Sequence, residues 1–138
     1  MTKAELFQFM SSESLGVAGW IAADGWPQGA LVGIAVTPDL EIVFDTVKSS
    51  RKYANLIANP KASFVIGTTR EVTVQFEGTA QELSGEELAR YQKIYFAKLP
   101  DGPARLSWPG IVYFVVRPRW IRYSDFEARP PQIVEFTF

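Results

Sequence analysis

Phe44-Asp45-Thr46-Val47-Lys48-Ser49-Ser50-Arg51-Lys52, running on through Tyr53-Ala54-Asn55-Leu56 to Asn59-Pro60, decides how this chain folds. It reads as the end of a strand, a tight polar turn and the first turn of a short helix. Ser49 or Ser50 supplies the N-cap, and Tyr53, Leu56 and Ile57 give the helix a buried face. Asn59-Pro60 stops it near Ala58. A helix N-terminus presents unpaired N–H groups and a partial positive charge. Ser49, Ser50, Arg51 and Lys52 add hydroxyls and two cations, which makes a cradle suited to a phosphate. The plainer reading of the same residues is a capped surface helix with solvated cations.

The flanks read mainly as strand. Leu15–Ala22, Gln28–Thr37 and Glu41–Thr46 form three strands joined by turns at Asp24-Gly25 and Pro38-Asp39. Gly29 and Gly33 inside the second strand point to a bend or to close approach of a ligand. After the short helix come strands over Lys61–Gly67 and Glu71–Leu83, turning at Thr68-Thr69-Arg70. In the latter, Val72, Val74 and Phe76 alternate with Thr73, Gln75 and Glu77, giving one buried and one wetter face. Further strands are expected over Ile111–Val116 and Trp120–Ser124, interrupted by Arg117-Pro118-Arg119. The apolar tail Ile133–Phe138 reads as an edge strand or as an arm docking on a neighbouring subunit.

Helices are expected over residues 3–12, with a Thr2–Glu5 capping box, and from a Ser84–Glu87 box to about Lys98. Pro100–Gly110 reads as a loop carrying Trp108. The fold class is therefore mainly β with inserted helices: a single domain, 1–138, built as a small antiparallel barrel of six or more strands.

Composition narrows the chemistry. The chain has neither cysteine nor histidine. This excludes disulfides, thiolate nucleophiles, Ser-His-Asp catalysis and His-ligated metals, so no metal site is expected. Chemistry at neutral pH would fall to an organic cofactor. A net charge of −1 argues against nucleic acid as a partner. No apolar run reaches the length of a membrane span, and Met1–Glu5 does not open a signal peptide. A cytoplasmic location away from membranes is the expectation.

The ordered set Phe44-x-Thr46-x-x-Ser49-Ser50-Arg51-Lys52-x-x-Asn55-Leu56-x-x-Asn59-Pro60-x-x-Ser63, placed after a three-strand meander, resembles the pyridoxamine 5′-phosphate oxidase-like family of FMN-binding split barrels. The resemblance is dense from Leu15 to Leu83 and thinner to Ser124. It implies a homodimer with FMN in a groove at the interface. Ser50, Arg51 and Lys52 would hold the phosphate, and Asp45, Thr46 and Val47 would run beside the ribityl or ring region. Thr73, five residues before Gly78, takes the place of a flavin-contacting glutamine, and Trp108 is an aromatic available to stack on the flavin.

Two departures stand out. The stretch Ala30–Ala35 lacks the family oxidases' basic residues, and the Arg-His pair that grips a vitamin B6 substrate is missing. The implied function is a small flavin-dependent oxidoreductase moving hydride or electrons between a reduced donor and an unidentified small molecule, not a B6 oxidase. The alternatives are a non-catalytic module binding flavin or a deazaflavin, and a structural dimer without cofactor.

Overall fold

The computed structural model describes all of residues 1–138. Helix α1 (Lys3–Ser12) opens the chain with the expected reciprocal cap. The Glu5 amide donates to Thr2 Oγ1 (3.1 Å) and the Thr2 amide donates to Glu5 Oε2 (2.8 Å). Its Leu6 and Met10 are buried, and Phe9 packs edge-on against Tyr123, so the helix lids one end of the core.

Strands β1 (Leu15–Ile21), β2 (Pro27–Gly33), β3 (Ala35–Val36) and β4 (Ile42–Val47) follow. Then come α2 (Arg51–Ala58), β5 (Lys61–Ile66), β6 (Val72–Glu82), α3 (Gly85–Lys98), a 3-10 turn (Gly102–Ser107), β7 (Ile111–Asp125) and β8 (Gln132–Thr137). All pairings are antiparallel, in the order β2-β1-β5-β6-β7-β4-β3, with β8 added beside β7. The expected Gln28–Thr37 strand is in fact two. It pairs with β1 up to Gly33, passes Ile34, and pairs with β4 from Ala35. One segment thus forms both edges of the sheet and curls it into a split barrel. Glycine suits the crossing, because a Cβ on Gly33 would stand 3.1 Å from the Leu99 side chain.

Inward-facing residues fill the barrel. Phe44 lies against Phe64 and Phe114, and Phe64 against Phe76, at centroid distances of 5.5–6.0 Å. A second apolar layer of Ala35, Val43, Leu83, Tyr91, Tyr95, Tyr113 and Val115 sits between the outer face of β3, β4 and β7 and helix α3.

Four local expectations are corrected. Arg117-Pro118-Arg119 does not end a strand: β7 is continuous, and a register shift between Glu77 and Gly78 takes up the proline. Only glycine fits there, since a Cβ on Gly78 would collide with the Arg117 carbonyl. Ser84 stands at the N-cap of α3 but makes no side-chain cap bond. Ile57 is exposed, leaving Leu56 as the fully buried residue of α2. The Pro100–Gly110 loop contains the 3-10 turn. The tail proves to be a strand on its own chain's β7. No helix is long and apolar enough to cross a membrane.

Candidate functional site

Strand β4 delivers the chain to the cradle and two backbone bonds shape the turn. The Lys48 amide donates to the Gly110 carbonyl (2.9 Å) and the Ser50 amide to the Val47 carbonyl (3.0 Å). Ser50, rather than Ser49, caps α2: its Oγ accepts from the Tyr53 amide (3.2 Å) and lies 3.0 Å from Thr46 Oγ1. The cap takes up the Tyr53 amide and the turn takes up the Ser50 amide, which leaves the first-turn amides of Arg51 and Lys52 available to a ligand.

Two cations are the first two residues of α2. Arg51 is exposed. Lys52 is half-buried, with Nζ 5.3 Å from the centre of the Trp20 ring. Burial pulls the Lys52 ammonium below the usual lysine range, with the Asp45 carboxylate acting the other way. Neither cation has a carboxylate within 4 Å, whereas six of the eight arginines are ion-paired. Below Lys52, Gln28 Oε1 accepts from Trp20 Nε1 (2.7 Å) and from Asn55 Nδ2 (3.1 Å), tying α2 to the β1–β2 hairpin. An open cleft of about 640 Å³ begins at Trp20 and Gln28 and crosses the outer face past Gly19 and Ser63, with Lys61 and Arg119 at its rim.

The structure brings Thr46, Ser50, Arg51 and Lys52 together. Asp45 and Val47 flank them in the backbone, but side chains alternate along a strand, so Asp45 turns away from the Thr46 hydroxyl. Its carboxylate accepts from Arg105 Nε at 2.7 Å, and Arg105 also donates to Asp101 (2.9 Å) and the Tyr95 hydroxyl (3.2 Å). Burial, followed by the Asp45 charge, pushes the Tyr95 phenol well above its ordinary value.

Thr73 lies elsewhere. It faces Ser124, twelve residues further along β7 than Val112, which faces Thr46. Trp108 lines a separate cleft beneath α3 that includes Lys48 but none of Ser50, Arg51 and Lys52. Sequence reasoning missed Trp20 and Gln28. The hairpin signal at Asp24-Gly25 held the clue, because its register sets those two residues opposite each other.

A family model for pyridoxamine 5′-phosphate oxidase matches residues 2–125, which takes in both the cradle and the barrel. The chain belongs to that family. A pyridoxine/pyridoxamine 5′-phosphate oxidase of Burkholderia multivorans is 30% identical over 122 residues, 80% of this chain and 55% of the relative. The chain thus spans about half the length of the curated relative it matches.

Among solved structures, a heme binding protein from Mycobacterium smegmatis superposes with a TM-score of 0.84 at 16% identity, over 99% of this chain and 58% of that one. A conserved hypothetical protein from Mycobacterium tuberculosis gives 0.73 at 26%, over 89% and 84%. A pyridoxamine 5′-phosphate oxidase-related, FMN binding protein from Nostoc punctiforme gives 0.67 at 10%, over 99% and 92%.

Proposed function

We propose that this chain binds FMN, with the phosphate in the Thr46–Lys52 cradle, and acts as a small flavin-dependent oxidoreductase. The observation that carries the reading is the pair Arg51 and Lys52, left without carboxylates at a capped helix N-terminus. A half-buried lysine lacking a counter-ion is costly to hold charged, and a phosphate dianion is the partner this donor set fits. The family membership and the FMN binding protein of Nostoc punctiforme support the same choice. Haem is less favoured, because the chain offers no histidine or cysteine to iron.

Bound FMN would supply hydride or electron transfer at its ring. The chain's own residues have simpler tasks. Ser50, Arg51, Lys52 and the free first-turn amides of α2 would hold the phosphate. The β4 backbone at Asp45–Val47 would run beside the ribityl chain. The Gln28 bonds to Trp20 and Asn55 keep α2 seated on the barrel. The uncharged Ala30–Ala35 stretch gives no hold for a second phosphate, so the substrate is not expected to be a B6 phosphate.

The proposal includes a homodimer. Thr73 stands on β6 outside the contacts of the Ser50 cradle, and in a homodimer with the flavin at the interface it would be supplied by the partner copy. Leu31, Val17 and Val65 face one another across β2, β1 and β5 on the exposed side, with Leu15 and Ile21 beside them. An exposed apolar row of this kind suits a subunit interface.

The test is a fluorescence titration with FMN and with riboflavin. Arg51→Ala combined with Lys52→Ala is expected to weaken FMN at least about 100-fold, since charge-assisted contacts contribute roughly 1.5–3 kcal/mol each. Riboflavin, which lacks the phosphate, should bind parent and variant alike. Equal FMN affinity in parent and variant would remove the phosphate assignment. A parent that stays colourless with excess FMN would remove the flavin reading as a whole.

A further inference from the structure

Strand β1 turns the Trp20 indole inward, on the side where α2 packs. Lys52 Nζ lies 5.3 Å from the centre of that ring. This is inside the separation of about 6 Å at which the negative face of an aromatic ring attracts a cation, and indole has the strongest face. The ring is 5% exposed, so little water competes with it for the ammonium on that side. Lys52 has need of such a partner. Burial works against its charge, and no carboxylate stands within 4 Å. Asp45 favours the charge only from further off, and its carboxylate is already taken by Arg105 Nε at 2.7 Å.

The ring is itself fastened. Trp20 and Gln28 face each other across the β1–β2 hairpin, and Trp20 Nε1 donates to Gln28 Oε1 at 2.7 Å. The same oxygen accepts from Asn55 Nδ2 at 3.1 Å. Asn55 comes three residues after Lys52 in α2, so the two lie on one side of the helix. The edge of the indole is therefore tied to the helix whose lysine rests on its face. Docking of α2 would account for the Gln28 bonds alone. It does not account for a ring placed against a cation that has no other partner, two residues after the Ser50 cap.

We propose that Trp20 is a positioning residue for the phosphate site: its indole face takes the place of a counter-ion for the Lys52 ammonium and holds it at the first turn of α2, with Gln28 fixing the plane of the ring. This role rests on the reading of the cradle as a phosphate site. Trp20 need not touch the ligand. A phosphate then meets an ammonium that is already localised, and less side-chain freedom is lost when it binds.

A double-mutant cycle on the full chain, read by titration with FMN, tests this. Trp20→Leu should weaken FMN about five-fold and leave riboflavin, which has no phosphate, as in the parent. In a Lys52→Met background the same change should alter FMN affinity less than about two-fold, because the group that Trp20 positions is gone. Trp20→Phe keeps a ring at the position and should bind FMN more tightly than Trp20→Leu. Equal weakening in both backgrounds would mean that Trp20 serves only the fold, and would overturn the proposal. So would FMN binding by Trp20→Leu that matches or exceeds the parent's. Proton NMR of the chain without ligand needs no change at Trp20. The Lys52 methylene signals next to Nζ, assigned by their loss in Lys52→Met, should be moved upfield by the indole, and unshifted signals would overturn the proposal even if FMN binds. A parent that binds neither FMN nor riboflavin would remove the flavin reading and this role with it.

Discussion

The two faces that β4 leads into treat charge in opposite ways. Beyond its C-terminal end, Arg51 and Lys52 open α2 with no carboxylate within 4 Å. Around α3, every buried charge is answered. Arg105 bridges Asp45 and Asp101. Glu41 accepts from the Tyr91 hydroxyl (2.9 Å) and the Thr37 hydroxyl (3.1 Å) and pairs with Arg117 at 3.2 Å. The α3 set is a closed network that fastens a helix and a turn onto the barrel. The cradle is open, and its electrostatic partner has to come from outside the chain. A charge matched within the fold serves the fold, and one left unmatched at a preorganised helix end serves a ligand.

The contrast breaks most visibly at Arg105. Arg105→Ala leaves the Asp45 carboxylate, only 14% exposed, without its partner. The expected loss is about 3 kcal/mol of stability, read by calorimetry as a fall of about 10 °C in Tm. Adding Asp45→Asn should recover part of it. The Arg51→Ala, Lys52→Ala double variant should do the reverse, losing FMN while its Tm stays within about 2 °C of the parent. If the cradle variant melted early and Arg105→Ala did not, the division between open and closed charge would be wrong.

A smaller effect sharpens the same point. The Lys52 pKa is lowered by burial in the free protein, so its charge is lost on the alkaline side before that of an ordinary lysine near 10.5. Phosphate binding favours the charged form. FMN affinity should therefore fall, by up to about tenfold per pH unit, as pH rises through the lowered value. It should also fall below about pH 6, where a phosphate takes up its second proton. Lys52→Arg keeps its charge throughout and should flatten the alkaline limb alone. A parent profile with the same alkaline limb as Lys52→Arg would mean that Lys52 does not meet the phosphate.

Much of this was legible because the signals were local. The period-two run from Val72 to Phe76 fixed a strand's buried face, and the clustered hydroxyls and cations at Thr46–Lys52 marked a helix start. The Asp45–Arg105 pair was not legible, since it joins residues 60 apart and carries no local pattern. Arg117-Pro118-Arg119 read as a break because proline cannot donate to a ladder. The accommodation lies on the other strand, at Glu77/Gly78. Trp108 was read together with the cradle, and only the packing of the 3-10 turn under α3 put it in a different cleft.

The two capping boxes give the finest test of how far a local pattern carries. Thr2–Glu5 and Ser84–Glu87 have the same spacing and the same residue types. In α1 both reciprocal bonds form, and Glu5's carboxylate is held below its usual range, chiefly by the Thr2 backbone bond. In α3 a distant partner competes: Glu87 Oε2 is 3.4 Å from Arg117 Nη2, an atom set by β7, and Ser84 makes no side-chain bond to the helix. Thr2→Ala is therefore expected to cost about 1 kcal/mol, and Ser84→Ala roughly 0.3 kcal/mol or less on the same scale, both read by urea denaturation. Equal losses at the two positions would show that the α3 cap forms in solution, and that Arg117 does not hold Glu87 away from it.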